Sequence, residues 1–405
     1  MKYLILIGDG MGDRPIASLG DLTPLARAHT PNMDRLAQNG QLGRVKTIPD
    51  GLPPGSDVAI MSLMGFNPQG VLTGRGPLEA LALKVPLAEG ELAFRLNLVT
   101  IEFGERTVIR DHSAGDISSP EAKPLLEALR EGLPLAPGQT IYQGFSYRNV
   151  LVWPGAPEGL PSIPPHDWLD RPINATLEDP AFRPLAELVR ASWPLLANHP
   201  VNQARVKRNL RQANSLWLWG QGRKPNVKTY FERWGLNGAT VSAVDIIRGL
   251  GLATGLKPLT VEGATGGLDT NFQGKVEAAL SALKQTDLVV IHLEAPDETS
   301  HQGQLALKLQ AIESFDAKIV GATLEGLDRS GEDYRLIVAC DHYTPLEIKT
   351  HSDDPVPFIL YDSRGLVRQG PPALGYSEAE AEKTGFFVPD GLALGRLFFG
   401  PEKGL

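Results

Sequence analysis

The sequence predicts an α/β protein, with a mostly parallel sheet flanked by helices and a smaller α+β unit inserted into it. Three observations carry this expectation. Short apolar runs end abruptly in Gly, Asp or His, as strands buried on both faces do. From residue 240 onward such runs alternate with helix-like segments, the rhythm of a parallel sheet with crossover helices. Between residues 94 and 153 that rhythm gives way to several strand-like runs and a single helix.

The elements follow in order. Tyr3 to Ile7 reads as a buried strand closed by Gly8. Thr30-Pro31 opens a helix through Gln38, and Asn39-Gly40 stops it. Val58 to Met64 reads as a short helix after the Pro/Gly-rich loop from Pro49 to Gly55. In the middle, strands are expected at Leu96–Glu102, Thr107–Arg110, Gln139–Tyr142 and Ser146–Trp153, with a helix near Pro120 to Glu131. The stretch from Pro154 to Pro165 has five prolines in twelve residues and reads as a rigid connector. Beyond it come a strand at Thr240–Ala243, a helix ending near Gly255 and a helix from Thr270 to Leu283. A strand at Asp287–Leu293, one long helix from Leu305 to Leu327, and strands at Arg335–Ala339 and Val356–Tyr361 complete the pattern.

Composition bounds the function. A chain of 405 residues suggests two or three folding units at about 150 residues each. With 42% hydrophobic and 21% charged residues it is globular rather than disordered. Its one cysteine, Cys340, excludes an intrachain disulfide framework and any cysteine-rich metal site. Metal chemistry is left to oxygen and imidazole, from 47 Asp plus Glu and 8 His. A net charge of −8 argues against nucleic acid. No run approaches the roughly 18 apolar residues of a membrane span, and the N-terminal run is too short for a secretory signal. The lone thiol makes the cytoplasm the expected compartment. The partner expected is a small-molecule substrate, and the sequence leaves a homo-oligomer open.

Acids and histidines fall just past the expected strands, at the carboxyl edge where open α/β sheets build sites. Asp9 lies in Gly8-Asp9-Gly10-Met11-Gly12-Asp13, which fails the dinucleotide pattern because Asp13 stands where its third glycine would fall. Asp297 and His301 are four residues apart and share a helical face. Asp341-His342 directly follows a strand, and His351 precedes the next one. Ser56 opens a helix, where free N–H groups favour a phosphate. Singly, each has a plain structural reading: Asp9 and Ser56 as helix caps, His351 as a surface loop residue. His292, inside its strand, reads as structural. Together, six ligands and a serine at one edge suit two cations clamping a phosphoryl group.

These residues resemble a known set of motifs. Ile7-Gly8-Asp9-Gly10-Met11-Gly12, Gly55-Ser56-Asp57, Pro296-Asp297-Glu298-Thr299-Ser300-His301, Asp341-His342 and Thr350-His351-Ser352 resemble, in chain order, the metal motifs of the alkaline phosphatase superfamily. Within it, the chain is similar to the cofactor-independent phosphoglycerate mutases. Gly263-Ala264-Thr265-Gly266-Gly267-Leu268-Asp269-Thr270 and Gly74-Arg75-Gly76-Pro77-Leu78-Glu79-Ala80 resemble the archaeal-type branch. The resemblance implies an alkaline phosphatase-like core at residues 1–85 and 205–405, interrupted by a cap at 86–204. It implies two divalent cations, manganese foremost, with magnesium, cobalt or zinc as alternatives, and no 2,3-bisphosphoglycerate. Asp297, His301 and His351 would hold one cation, and Asp9, Ser56, Asp341 and His342 would meet the other. Ser56 would become a phosphoserine while 3-phosphoglycerate and 2-phosphoglycerate interconvert. On the cap, Arg110-Asp111 resembles the family's Arg-Asp pair, in which Asp handles a hydroxyl proton and Arg binds an anion. Arg248 stands about where the family has a lysine, and Arg148 is a further substrate-binding candidate. His166 is a weaker one. The competing reading is a metal-dependent phosphohydrolase or phosphotransferase of the same superfamily, acting on another small phosphorylated metabolite.

Overall fold

The computed structural model describes residues 1–367 and 373–403. It contains two compact units, Met1–Leu72 with Asn226–Leu405, and Thr73–Pro225. The first is built on an eight-stranded sheet. In spatial order its strands are Phe387–Val388, Gln41–Val45, Val356–Asp362, Tyr334–Ala339, Lys2–Gly8, Leu288–Leu293, Gly238–Val241 and Lys257–Leu259. Val356–Asp362 runs antiparallel to both neighbours. The other pairings are parallel, so the sheet is of the expected mostly parallel kind. Lys2–Gly8 sits between Leu288–Leu293 and Tyr334–Ala339, with Leu4 to Ile7 fully buried. A strand covered on both faces needs apolar side chains at successive positions, which is why its run does not alternate.

The helix Pro31–Asn39 starts where Thr30-Pro31 announces it, but Thr30 makes no side-chain cap. The cap comes from Asp316, whose carboxylate accepts from Met33 N at 2.7 Å and Asn32 N at 3.3 Å. Asp316 also explains a departure from expectation. The segment read as one helix from Leu305 to Leu327 is an α-helix at Leu305–Ser314, a wider π-helical stretch at Phe315–Gly321, and an α-helix at Ala322–Ser330. A π turn re-aims the side chains it carries, and here Asp316 lies in that stretch. The helix expected from Val58 begins at Ser56 and runs to Leu63. Gln41–Val45 and Phe387–Val388 escape sequence reading because the first carries Gly43 and Arg44 and the second spans two residues.

In the unit Thr73–Pro225, an antiparallel sheet joins Val108–Asp111, Leu92–Glu102, Arg148–Trp153 and Thr140–Phe145, with Ser215–Gly222 on the other side of Leu92–Glu102. The helices Ser119–Gly132 and Arg183–Ala197 contribute Leu125, Leu126, Leu129, Leu185 and Val189 to its core. The unit is wider than residues 86–204. Its sheet claims Ser215–Gly222, and the helix Gly76–Ala82 packs on Leu92–Glu102. Gly74-Arg75-Gly76 permits that close approach. A Cβ on Gly74 would lie 2.2 Å from Gln221 O, and one on Gly76 2.2 Å from Ala93 O.

Among the described residues no helix is long and apolar enough to cross a membrane.

Candidate metal and phosphoryl-transfer site

The carboxyl edge of the large sheet collects the ligand candidates. Asp9 follows Lys2–Gly8, and Asp341 and His342 follow Tyr334–Ala339. Asp297 and His301 lie on the helix Ala295–His301, which follows Leu288–Leu293. His351 stands in the loop before Val356–Asp362. The loops are tied together through their backbones: Thr344 N donates to Gly12 O at 3.1 Å and Ser352 N to Tyr343 O at 3.0 Å. Gly12 must be a glycine here, since a Cβ would strike the Tyr343 ring at 2.2 Å.

Two groups of side chains result. In one, His301 Nε2 lies 3.0 Å from Asp297 Oδ2 and 3.0 Å from His351 Nε2. His301 Nδ1 is 2.9 Å from the carbonyl of Lys349, which can only accept, so Nδ1 carries the hydrogen. Nε2 is left facing Asp297 and His351, where a cation would take the place of its proton, the usual arrangement behind a ligating histidine. In the other group, three atoms surround His342 Nε2: Asp341 Oδ2 at 3.2 Å, Ser56 Oγ at 3.2 Å and Asp9 Oδ1 at 3.5 Å. Thr344 joins the groups. Its hydroxyl donates to Asp297 Oδ1 at 2.6 Å, and its oxygen lies 3.2 Å from His342 Nδ1. Nδ1 must therefore donate to Thr344, and His342 Nε2 presents a lone pair to the acids.

Asp9 Oδ1 and Asp341 Oδ2 are buried and accept no hydrogen bond among the described residues. Oxygen and nitrogen lone pairs crowded together in a buried site are costly when the acids are ionised, and a divalent cation among them removes the cost. Without one, the acids are pushed toward their protonated forms. Burial, then the charges of Asp341, Glu294 and Asp297, hold the Asp9 carboxyl well above the usual range. Burial raises Asp341 to about 6 and lowers His342 to about 3. Asp297, though buried, is held well below the usual range by hydrogen bonds from His301 and His351. Ligand atoms of Asp297, His301 and His351, and likewise of Asp9, Asp297 and His342, lie within 4.8 Å of one another. The oxygen and imidazole set suits manganese, magnesium, cobalt or zinc.

Residues behind this layer escaped the sequence reading. His292 Nε2 lies 2.7 Å from Asp9 Oδ2. Lys275 donates to His292 O at 3.1 Å, and burial lowers its amine to about 8. Lys308, fully buried, is 2.8 Å from Asp13 and donates to Gly12 O at 3.2 Å and Thr344 O at 3.0 Å, so it pins together the loops that follow Asp9 and His342. A charged side chain between two Gly- or Pro-flanked motifs was the one available signal.

Arg248 has Asp245 as its ionic neighbour, at 4.0 Å. Within the inserted unit, Arg110 pairs with Glu102 at 2.8 Å and Asp170 at 2.5 Å, so two carboxylates already take up its guanidinium. Asp111 accepts from Ser113 N and Ser113 Oγ, both at 2.8 Å, and from Gly115 N at 3.1 Å. Arg148 lies over the Tyr147 ring at 5.3 Å. His166 packs edge-on to Trp219.

Fold and site define a class: an α/β enzyme with an oxygen- and imidazole-lined candidate metal centre, and a serine beside it, at the carboxyl edge of its sheet. Comparison with known proteins narrows the class. A family model described as 2,3-bisphosphoglycerate-independent phosphoglycerate mutase matches residues 37–202. A protein of that name from Methanothrix thermoacetophila is 46% identical over 399 residues, covering 98% of this chain and 99% of its own. A Geobacter sulfurreducens protein named as a probable one is 44% identical, covering 97% and 98%. The chain belongs to the 2,3-bisphosphoglycerate-independent phosphoglycerate mutase family, and it is an isomerase. Among solved structures, the PH0037 protein of Pyrococcus horikoshii matches with a TM-score of 0.80 at 31% identity, over 98% of this chain and 96% of that one. The cofactor-independent phosphoglycerate mutase of Thermoplasma acidophilum matches with a TM-score of 0.62 at 26% identity, over 98% and 99%.

Proposed function

We propose that this protein interconverts 3-phosphoglycerate and 2-phosphoglycerate by passing the phosphoryl group through Ser56, without 2,3-bisphosphoglycerate. The supporting observation is Ser56 Oγ, 3.2 Å from a histidine lone pair and beside two buried carboxylate oxygens that lack donors. Asp297, His301 and His351 would hold one divalent cation, manganese foremost. Asp9, Asp341, His342 and Ser56 would meet a second. When bound, such cations supply positive charge that lowers the cost of a serine alkoxide and of in-line phosphoryl transfer.

The chain's own groups do the rest. His342 Nε2 faces the Ser56 hydroxyl and orients it. Ser56 is the first residue of its helix, so N–H groups of that turn lie near the attacking oxygen. Glycerate must stay bound and dry while it turns over, because water would hydrolyse the phosphoserine. The inserted unit is the candidate for that task. There, Asp111 is the candidate to take the hydroxyl proton and Arg148 to bind the carboxylate. Arg110, held by Glu102 and Asp170, and Arg248, beside Asp245, suit the substrate less well. A cytoplasmic setting fits a step shared by glycolysis and gluconeogenesis.

The test is an enolase-coupled assay on 3-phosphoglycerate without 2,3-bisphosphoglycerate. Turnover should proceed, vanish with EDTA and return with Mn2+. An EDTA-insensitive rate would defeat the metal reading, and free phosphate in place of 2-phosphoglycerate would defeat the mutase reading.

A further inference from the structure

Asp341, Asp9, His292 and Ser242 form a polar row across four adjacent strands of the large sheet, all at its carboxyl edge. His292 is fully buried on the strand Leu288–Leu293. Its ring has a hydrogen-bond partner on each side, and Glu294 Oε2 lies farther off, 3.5 Å from Nε2. Nε2 is 2.7 Å from Asp9 Oδ2, and Nδ1 is 3.1 Å from Ser242 Oγ. Ser242 Oγ in turn accepts from Val244 N at 3.0 Å. With Asp9 ionised, as it must be to meet a cation, its oxygen accepts, so the ring hydrogen sits on Nε2. Nδ1 then accepts the Ser242 hydroxyl, and every donor in the row finds one acceptor. The direction of donation runs from Val244 through Ser242 and His292 into Asp9. The other oxygen of Asp9, Oδ1, has no donor and faces His342 Nε2 at 3.5 Å.

We propose that His292 is a positioning residue that holds Asp9 Oδ2, so that Asp9 meets a divalent cation through Oδ1 alone. This rests on the metal reading given above. A carboxylate free to turn about its Cβ–Cγ bond offers either oxygen and loses that freedom on binding. A hydrogen bond to one oxygen removes the freedom beforehand and directs the other, which is how groups behind a ligand tune its metal.

A rival arrangement uses the same atoms. Ligand atoms of Asp9, His292 and Glu294 lie within 4.8 Å of one another, so His292 could itself hold a cation. That needs a lone pair on Nε2. It would forfeit the 2.7 Å bond to Asp9, and the ion would sit near the Lys275 amine, which is on His292 O and interacts with Glu294. The hydrogen bond is the better account.

The experiment titrates metal-stripped full-length protein with Mn2+ alone, reading stoichiometry and affinity by calorimetry, for wild type, His292→Leu, His292→Gln and Ser242→Ala. The expected result keeps the wild-type number of ions in all three variants. His292→Leu should weaken one binding event by about 10- to 100-fold, and His292→Gln, which retains an N–H donor, should recover much of that. Ser242→Ala should weaken the same event by less. It carries the test if His292→Leu does not fold. Wild-type affinity in His292→Leu, or in Ser242→Ala should it stand alone, overturns the proposal. Loss of one whole equivalent in both His292→Gln and Glu294→Gln overturns it in favour of a histidine ligand. A wild-type protein that binds no Mn2+ overturns the metal reading and this proposal together.

Discussion

Ser56, Asp341 and His342 show what a single residue's surroundings decide. A serine hydroxyl is a poor nucleophile until a base or a positive charge activates it. Here its neighbours within 3.2 Å are a histidine lone pair rather than another donor. Ser56→Ala should lower mutase turnover by more than about 10³-fold while Mn2+ content by elemental analysis stays near wild type. A variant with substantial residual turnover would exclude the phosphoserine route. Asp362 offers a separate check on charge. Although burial opposes ionisation, hydrogen bonds from Arg364 and Arg335 hold its carboxyl well below the usual range. A depressed carboxyl contributes stability that is full above the unfolded value of about 4 and fades as pH falls further. Arg335→Met should therefore cost about 1 kcal/mol near pH 7, and the gap to wild type should narrow in denaturant melts run below pH 4. The candidate ligands were legible in the sequence because they gather in the segments that follow buried strands, Asp9 and Asp341-His342 close behind theirs and Asp297 with His301 at the helix just beyond another. His292 was not, because a histidine inside an apolar run looks like filler until the neighbouring strand puts Asp9 beside it. Arg110 shows the converse: its partners Glu102 and Asp170 lie on separate segments, so its spacing with Asp111 says little about what it touches.

Elements were legible where local chemistry alone decides them. The strand Lys2–Gly8 and the helix start at Pro31 needed no tertiary information. The break in the segment Leu305–Ser330 did, because nothing local forbids a continuous helix there. The break fits Asp316, which caps a distant helix from the π stretch. Asp316→Ala leaves Met33 N and Asn32 N without that acceptor, and should cost about 1–2 kcal/mol in chemical unfolding. Asp316→Asn keeps an acceptor and should cost less. Equal stability of Asp316→Ala and wild type would mean that the helix is capped another way. The short helix Gly76–Ala82 is set by contact rather than propensity. Gly76→Ala forces a Cβ to within 2.2 Å of Ala93 O and should destabilise by about 1–3 kcal/mol, read by thermal melting.

At the scale of the whole molecule, the two units differ in how much of their order the chain can supply alone. The unit Thr73–Pro225 is continuous and has its own core around Phe94, Leu126 and Trp217. A fragment of residues 73–225 should fold cooperatively by itself, with a sigmoidal denaturant transition; a molten or aggregated fragment would contradict this. The other unit has charge to neutralise. Metal-stripped protein should melt at lower temperature than the Mn2+ form, since an ion at 100 times its dissociation constant adds about 2.7 kcal/mol.

The central position of Lys2–Gly8 has a consequence for synthesis. This strand is made before both its partners, Leu288–Leu293 and Tyr334–Ala339, which follow hundreds of residues later. Until then its apolar residues have no sheet to join, and unpaired strand edges invite aggregation. The inserted unit is complete by Pro225, before either partner exists. During translation it can fold while Lys2–Gly8 still waits, in reach of a chaperone, for the strands that flank it.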